Sequence, residues 1–278
     1  MPELPEVETI VRQLGKVLPG NRVQRVQILR DNIVQGSPAK LTSALEGVAI
    51  RSVSRRAKFI VVELESDRVW LTHLRMSGSY RVLRSGGNGG SLPVYTRAIF
   101  DLEDGSRLLY VDPRTLGLLE IVPAAAWMAR AAKLGPEPLS PAFTVAVLED
   151  RLAHSRQPIK TFLLDQRRIA GLGNIYVAEA LWRARVSPRR RAKNVGPMRA
   201  ARLHCAIVEV LSEAVGESGT SLGGTYLNFA DADGDPGEFY EALNVYDRED
   251  EPCRRCGEAI KRIVQAQRST YYCSLCQR

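Results

Sequence analysis

No run of apolar residues in this chain approaches the ~20 needed to span a bilayer. The N-terminus, MPELPEVETI, is acidic and amphipathic and lacks the apolar stretch of a signal peptide. Together these absences predict a soluble protein of the cytoplasm. No internal repeat is found, so each segment has to be read on its own. Cysteine is scarce, with 5 in 278 residues, and all but Cys205 stand near the C-terminal end. Acid is missing from two stretches. None lies between Glu46 and Glu63, where Arg51, Arg55, Arg56 and Lys58 stand. None lies between Glu179 and Glu209, which enclose Arg183, Arg185, Arg189, Arg190, Arg191, Lys193, Arg199 and Arg202. With a net charge of +8, two basic clusters far apart in sequence fit a groove that tracks a phosphate backbone. Either cluster alone could equally be a solvated face.

At 278 residues the chain is long enough for a sizeable core and two or three domains. Leu4, Val7, Val11, Leu14 and Leu18 recur at helical spacing, so the first helix is amphipathic and stops near Pro19-Gly20. From there to about Ile121 the pattern is β: RVQRVQIL, KFIVVEL, RVWLTHL, SYRVL, TRAIFDL and RLLYV, separated by Gly, Asp and Ser turns. This predicts a β-sandwich with one helix packed on it. SGGNGGS, residues 85–91, reads as a flexible surface loop. After Pro123 the chain turns helical, with a hinge expected between Pro123 and Pro141, and a Gly-rich stretch spans Gly216 to Gly237.

Two places carry chemistry. Cys253, Cys256, Cys273 and Cys276 form a CxxC pair of pairs, the spacing of a tetrahedral structural zinc site. Two disulfides are the alternative, disfavoured in a reducing compartment. Four sulfurs leave no open coordination position, so the metal holds structure. Cys205, alone in an apolar helical run, is expected to be a buried small hydrophobe. At the other end, removal of Met1 would leave Pro2 with a free secondary amine. An α-amino group titrates near ~7.7–8.0, so roughly a tenth of it is neutral and nucleophilic at pH 7. Attack of such an amine on a sugar anomeric carbon ends in a charged iminium, an electron sink of the Schiff-base type. Glu3 lies beside it and Glu6 follows at i+3, one to donate a proton and the other to orient the amine. The ordinary alternative is that first-turn acids merely complement the helix dipole.

The string MPELPEVET resembles the N-terminus of the formamidopyrimidine-DNA glycosylase family, bifunctional enzymes of base-excision repair, and the resemblance runs from Pro2 to Gln277. It implies an α+β multidomain fold. A β-sandwich catalytic domain would span 1–130 with the N-terminal helix packed on it. A helix–two-turn–helix DNA-binding domain would span 131–240 with a lesion-capping loop at 216–237, and a β-hairpin zinc finger would span 244–278. It implies Pro2 as nucleophile, Glu3 and Glu6 as acidic partners, and Lys58 (in RRAKFIVVEL) and Arg268 (in QRSTYYC) as helpers of strand elimination. Met76, in THLRMSG, matches the residue that fills the space left by a flipped base, and Arg114, in DPRTLG, the residue that reads the orphaned partner. That loop departs from the family's DPRRFG: Thr115 replaces an arginine, and Leu116 the intercalating phenylalanine. Apolar wedges of several kinds unstack base steps. Tyr95 stands where many relatives have a phosphate-binding histidine.

Arg156, Lys160, Asn174 (in GLGNIYVAEAL), Tyr246 and Arg262 complete the implied DNA-binding set. The glycines and Asn174 also read plainly as a tight turn with an Asn N-cap. Ser221, Leu222, Gly223, Gly224, Thr225 and Tyr226 match the segment that closes over an extruded oxidised purine. The implied partner is damaged double-stranded DNA, bound by a nucleoid-associated monomer with one structural zinc ion and no organic cofactor. An oxidised-pyrimidine glycosylase of the endonuclease VIII type, and a non-catalytic damaged-DNA binder, are the alternatives.

Overall fold

The computed structural model describes residues 2–85, 91–222 and 229–278. The expected loop at residues 85–91 therefore lies largely outside the described residues, as do Gly223, Gly224, Thr225 and Tyr226. The chain forms two compact units, residues 1–132 with 217–238, and residues 133–216 with 239–278.

The first unit begins with helix α1, Leu4–Leu14, which buries Leu4, Val7, Ile10, Val11 and Leu14 along one stripe. Strand β1 (Val23–Ile28) and helix α2 (Pro38–Leu45) follow. Next come β2 (Ile50–Arg56), β3 (Phe59–Leu64), β4 (Arg68–His73), β5 (Ser79–Leu83), β6 (Thr96–Leu102), β7 (Arg107–Val111) and β8 (Leu118–Pro123). They pair antiparallel into two 4-stranded sheets, β1-β6-β7-β5 and β2-β3-β4-β8. One core joins them: Val26, Phe100 and Tyr110 from the first sheet meet Ile60, Val62, Trp70 and Leu119 from the second, with Val7, Ile10 and Leu41 from the helices.

The single packed helix expected from the sequence is one of several. In α2, Ser37 caps the N-terminus by accepting the Lys40 amide, and Pro38 opens the first turn. Helix α3, Ala124–Ala131, lies in the expected hinge but belongs to this unit. Its Trp127 packs on Val61, Val69 and Leu71, the residues of β3 and β4 that point away from the core.

The compact units also group the segments differently from the expected domains. Residues 217–238, expected with the helical domain, are built into the first unit. Phe229 and Ala232 enter its core. The Ala232 amide donates to Gln13 Oε1 at 2.7 Å, and Ser79 Oγ to the Ala230 carbonyl at 2.7 Å.

The second unit holds helices α4 (Val145–Ala153), α5 (Ile159–Leu164), α6 (Asn174–Arg183) and α7 (Pro197–Gly216), and the hairpin β9 (Ile260–Gln265) with β10 (Arg268–Cys273). The expected division at 240–244 is not a boundary of compactness. Ala178 and Trp182 of α6 share a cluster with Val245, Cys253, Ile260, Tyr271 and Cys273. The cysteine module thus packs against one face of α6. Glu179 fixes the approach to it. Its fully buried carboxylate accepts from the Asn244, Val245 and Tyr246 amides at 2.9 Å each and from Asn244 Nδ2 at 3.1 Å. Among the described residues no helix is long and apolar enough to cross a membrane. Cys205, expected inside, is exposed on α7, where Ala206 and Ile207 take the buried positions.

Candidate functional site

In the first unit the N-terminal residues form a buried corner. Pro2 is buried, and Glu3 and Glu6 are 1% and 2% exposed. Glu3 is the N-cap of α1. Glu6 Oε2 accepts the Glu3 amide at 2.7 Å, while Glu6 Oε1 accepts the Thr220 amide at 2.8 Å. One carboxylate thus ties the helix start to a segment more than two hundred residues later, which sequence spacing could not show. The fit needs a glycine: Gly219 has φ +88°, and a Cβ there would lie 2.8 Å from Glu6 Oε1.

Lys58 sits in the two-residue turn between β2 and β3, with Ala57 at φ +53°. Arg55 pins that turn, donating to the Ala57 carbonyl at 3.0 Å and to Glu8 of α1 at 2.8 Å. Burial, then Arg75, Lys58 and Arg130, push His73 down to about 3. Its Nδ1 therefore accepts the Arg75 amide, at 3.0 Å.

Met76 and Leu116 are both exposed, at 37% and 47%, and Arg114 is exposed beside Leu116. The residue that shapes their two loops was missed from the sequence. Asp112, fully buried, accepts from Ser77 Oγ at 2.6 Å, from the Gly117 amide at 2.7 Å and from the Arg114 amide at 3.2 Å. One carboxylate therefore sets the loop of Met76 and that of Arg114 and Leu116. The signal was an Asp directly before Pro113, the ordinary start of an Asx turn. The loops also close over one phenol: a Cβ on Gly78 would lie 2.2 Å from Tyr110 Oη, and on Gly117 1.6 Å. Arg75 and Thr115 both have positive φ, +54° and +52°. For a β-branched residue such as Thr115 that conformation is a genuine outlier, of a kind that clusters at functional loops. Tyr95, at φ +74°, is half-buried under the Arg97 guanidinium, 5.4 Å from its ring.

Ser221 closes the stem of the Gly-rich segment. Its Oγ donates to the Phe229 carbonyl and accepts the Gly237 amide, both at 2.8 Å. Leu222 is half-buried.

In the second unit the charged residues gather at the hairpin tip. Lys160 is fully buried, and its Nζ donates to the Ser269 carbonyl and to Thr270 Oγ1, both at 2.6 Å. Asn174 Nδ2 donates to the same carbonyl at 3.1 Å. Asn174 is not the helix cap; Gly173 is, leaving the amide side chain to reach the hairpin. Arg268 is exposed at the start of β10, next to a two-residue turn in which Ala266 and Gln267 both have positive φ. Such a turn matches strand twist but favours Asn-Gly. Arg262 donates to Ser269 Oγ at 3.0 Å and pairs with Glu249 at 3.2 Å. Tyr246 rests edge-on against Tyr271, and Arg156 is exposed outside this cluster.

The thiol sulfurs of Cys253, Cys256, Cys273 and Cys276 lie within 4.8 Å of one another, which fits four ligands around one zinc ion. Burial pushes the Cys276 thiol up to about 12, with its cysteine neighbours adding to the effect. Burial acts upward on Cys253 too, but hydrogen bonds from Trp182 and from the Arg255 and Cys256 amides bring it down to about 6. Trp182 Nε1 donates to Cys253 Sγ at 3.4 Å, a partner of the kind that orients metal ligands.

Three family models match the chain. The formamidopyrimidine-DNA glycosylase N-terminal domain matches residues 1–119, the formamidopyrimidine-DNA glycosylase H2TH domain matches 134–224, and the zinc finger found in FPG and IleRS matches 250–278. A formamidopyrimidine-DNA glycosylase of Chelativorans sp. (strain BNC1) is 41% identical over 301 residues, with 100% of each chain covered. The crystal structure of the MutM (FPG) protein from Thermus thermophilus superposes with a TM-score of 0.87 at 40% identity, covering 99% of this chain and 98% of that one. The wild-type Lactococcus lactis Fpg (MutM), in complex with DNA containing N7-benzyl-Fapy-dG, superposes with a TM-score of 0.88 at 32% identity and covers 100% of both chains. With relatives matched along its whole length and models matching both its units, this chain belongs to the formamidopyrimidine-DNA glycosylase family.

Proposed function

We propose that the protein is a DNA glycosylase of base-excision repair that removes oxidised purines, 8-oxoguanine and formamidopyrimidines, from duplex DNA and then nicks the strand as an AP lyase. The observation that carries this reading is the N-terminal corner: Pro2 and Glu3 buried at the start of α1, with Lys58 on a turn that Arg55 pins to that helix. Pure binding would not need a proline amine placed beside a buried carboxyl.

The chemistry follows from those groups. C1′ and the glycosidic bond are shielded within the stack, so the nucleotide has to be flipped out. Met76 and Leu116, both exposed on loops fixed by Asp112, are suited to fill and wedge the stack it leaves. Once Met1 is removed, the neutral Pro2 amine attacks C1′. The bond from C1′ to the base breaks, its electron pair leaves with the base, and the proton shed by the Pro2 nitrogen goes to the departing base. Glu3 gives a proton to the sugar ring oxygen as the ring opens, and a Pro2–C1′ iminium remains. Loss of a C2′ proton expels the 3′ phosphate, and loss of a C4′ proton then expels the 5′ phosphate. Lys58 and Arg268 are assigned to these eliminations.

Glu6, with both oxygens accepting backbone amides, acts as a positioning residue. It holds the helix start against the stem of the segment assigned to cap the lesion. Lys160 and Asn174 order the hairpin tip for phosphate contact. The four cysteines hold the zinc ion that keeps this hairpin folded.

Duplexes carrying 8-oxoguanine, a formamidopyrimidine, thymine glycol or a preformed abasic site test the reading, with base release and strand nicking scored separately. Release of both purine lesions and nicking at the abasic site are expected. Preference for thymine glycol would assign the endonuclease VIII type, base release without nicking would remove the lyase, and no release would leave a binder.

A further inference from the structure

The second unit carries a charged cleft bordered by the zinc ligands Cys256 and Cys276, and three of its arginines, Arg185, Arg199 and Arg202, belong to the basic cluster that the sequence groups with a phosphate-tracking groove. It encloses about 500 Å3 beside the thiol cluster and is lined by Arg185, Arg199, Arg202, Arg255, Arg278 and Leu275. Its arginines come from separate places in the chain. Arg185 follows α6 in a Schellman turn, with the Val186 amide on the Leu181 carbonyl and the Arg185 amide on the Trp182 carbonyl. Its φ is +58°, at a position that favours glycine. Arg199 and Arg202 are three apart on α7 and share a face. Arg255 lies over the Trp182 ring at 4.0 Å and donates to the Trp182 carbonyl at 3.2 Å. Arg278 donates to the Leu275 carbonyl at 3.3 Å.

Among the described residues none of these five cations pairs with a carboxylate, whereas neighbouring Arg183 binds both oxygens of Glu213 at 2.7 and 2.6 Å. Like charges lining one concavity focus an attractive field on an anion. The cleft is separate from the hairpin tip. Cys273 pairs with Ile260 at one end of the hairpin and Arg268 with Gln265 at the other, so the strands separate the two by roughly 16–20 Å.

We propose that this cleft docks an extended acidic peptide segment of a partner protein, its carboxylates on the arginines and an apolar side chain on Leu275. Guanidinium forks match carboxylates bidentately. The volume is of small-ligand scale, too small for a duplex and suited to a few side chains. Leu275, 52% exposed and part of the same lining as the guanidiniums, gives an apolar side chain of the peptide a contact between its paired carboxylates.

The test uses full-length, zinc-loaded protein and a short fluorescent peptide of aspartates and glutamates with one central leucine. Binding is expected in the micromolar range and should weaken roughly tenfold in R199E/R202E, as expected when close charge pairs are lost. Replacing the peptide's leucine by glycine should weaken it severalfold. Zinc content should stay as in the parent, any loss of affinity for an abasic-site duplex should be smaller than the loss for the peptide, and that duplex should not displace the peptide. R185S/R278S is the second variant should the first misfold, with the same loss expected. No binding, equal binding by both variants, or displacement by the duplex would overturn the proposal. So would a loss in the variants confined to a single-stranded oligonucleotide, which would make the cleft a nucleic-acid surface.

Discussion

The two units set their functional loops differently, although both bury carboxylates, Glu179 gathering amides in the second beneath the cysteine module. In the first, the buried carboxylates Glu6 and Asp112 accept backbone amides, and the loops they gather carry Met76, Arg114 and Leu116. In the second, the buried ammonium of Lys160 donates to the Ser269 carbonyl and the Thr270 hydroxyl and holds the hairpin tip that carries Arg268. A carboxylate can gather amides from segments distant in sequence. A single ammonium orders one turn and depends on the rest of the hairpin being held elsewhere. The first unit is therefore expected to fail loop by loop and the second all at once.

The largest effect should come from the metal. Cys273→Ser, or chelation, removes a ligation whose worth is on the order of 10 kcal/mol. The hairpin and its packing on Ala178 and Trp182 should unfold. Hydrogen exchange should show protection lost across β9 and β10 and kept across the sheets of the first unit. Loss in both units together would break the comparison.

Asp112→Ala comes next. It leaves the Gly117 amide and the Ser77 hydroxyl without their acceptor, at roughly 1–3 kcal/mol for each buried group so stranded. Stability should fall by about 3 kcal/mol in urea unfolding, and lesion-duplex affinity should fall further than affinity for undamaged duplex. A parallel loss in the two affinities would mean that Asp112 supports the fold without shaping the loops.

How much of this was legible beforehand depends on the range over which each contact is decided. Helix α1, most of the strands and the four-cysteine cluster follow local rules of period and spacing, and all were readable. Helix α2 was readable too, from Ser37-Pro38, but a β pattern on both sides concealed it. The bond from Thr220 to Glu6 and the return of residues 217–238 to the first unit are decided by packing across most of the chain, which no window shows. Cys205 illustrates the same limit: its apolar neighbours predict burial, while its angular position on α7 exposes it. Lys160 was read as a DNA contact, and its full burial against the hairpin tip depends on a partner more than a hundred residues away.

His73 sharpens the comparison through pH. Its pKa is held down to about 3, first by burial and then by Arg75, Lys58 and Arg130. The unfolded chain, with an ordinary imidazole, binds a proton that the folded one refuses. The contribution is therefore fully present above the unfolded value near ~6.5 and is lost as pH falls toward 3. Between pH 6.5 and 5 the first unit should lose about 1–2 kcal/mol, and His73→Gln should flatten that slope. An unchanged slope in the variant would assign the dependence to other groups.

The smallest effect is expected at the wedge. Leu116→Phe adds a flat face that can stack in a base step, where base–aromatic stacking is worth ~1–3 kcal/mol in single-strand binders. Single-turnover excision of 8-oxoguanine opposite cytosine should rise severalfold, with undamaged-DNA affinity unchanged. Equal or slower excision would show Leu116 already fitted to its loop, with Thr115 at its positive φ.

The central claim is that the Pro2 amine is the nucleophile, and trapping tests it most directly. Borohydride added during reaction with an 8-oxoguanine duplex should reduce an iminium to a stable adduct, and peptide mapping should place that adduct on an N-terminal Pro2. Pro2→Gly should trap far less. An adduct on Lys58, Lys160 or any other lysine, or none at all from protein that releases the base, would contradict the account.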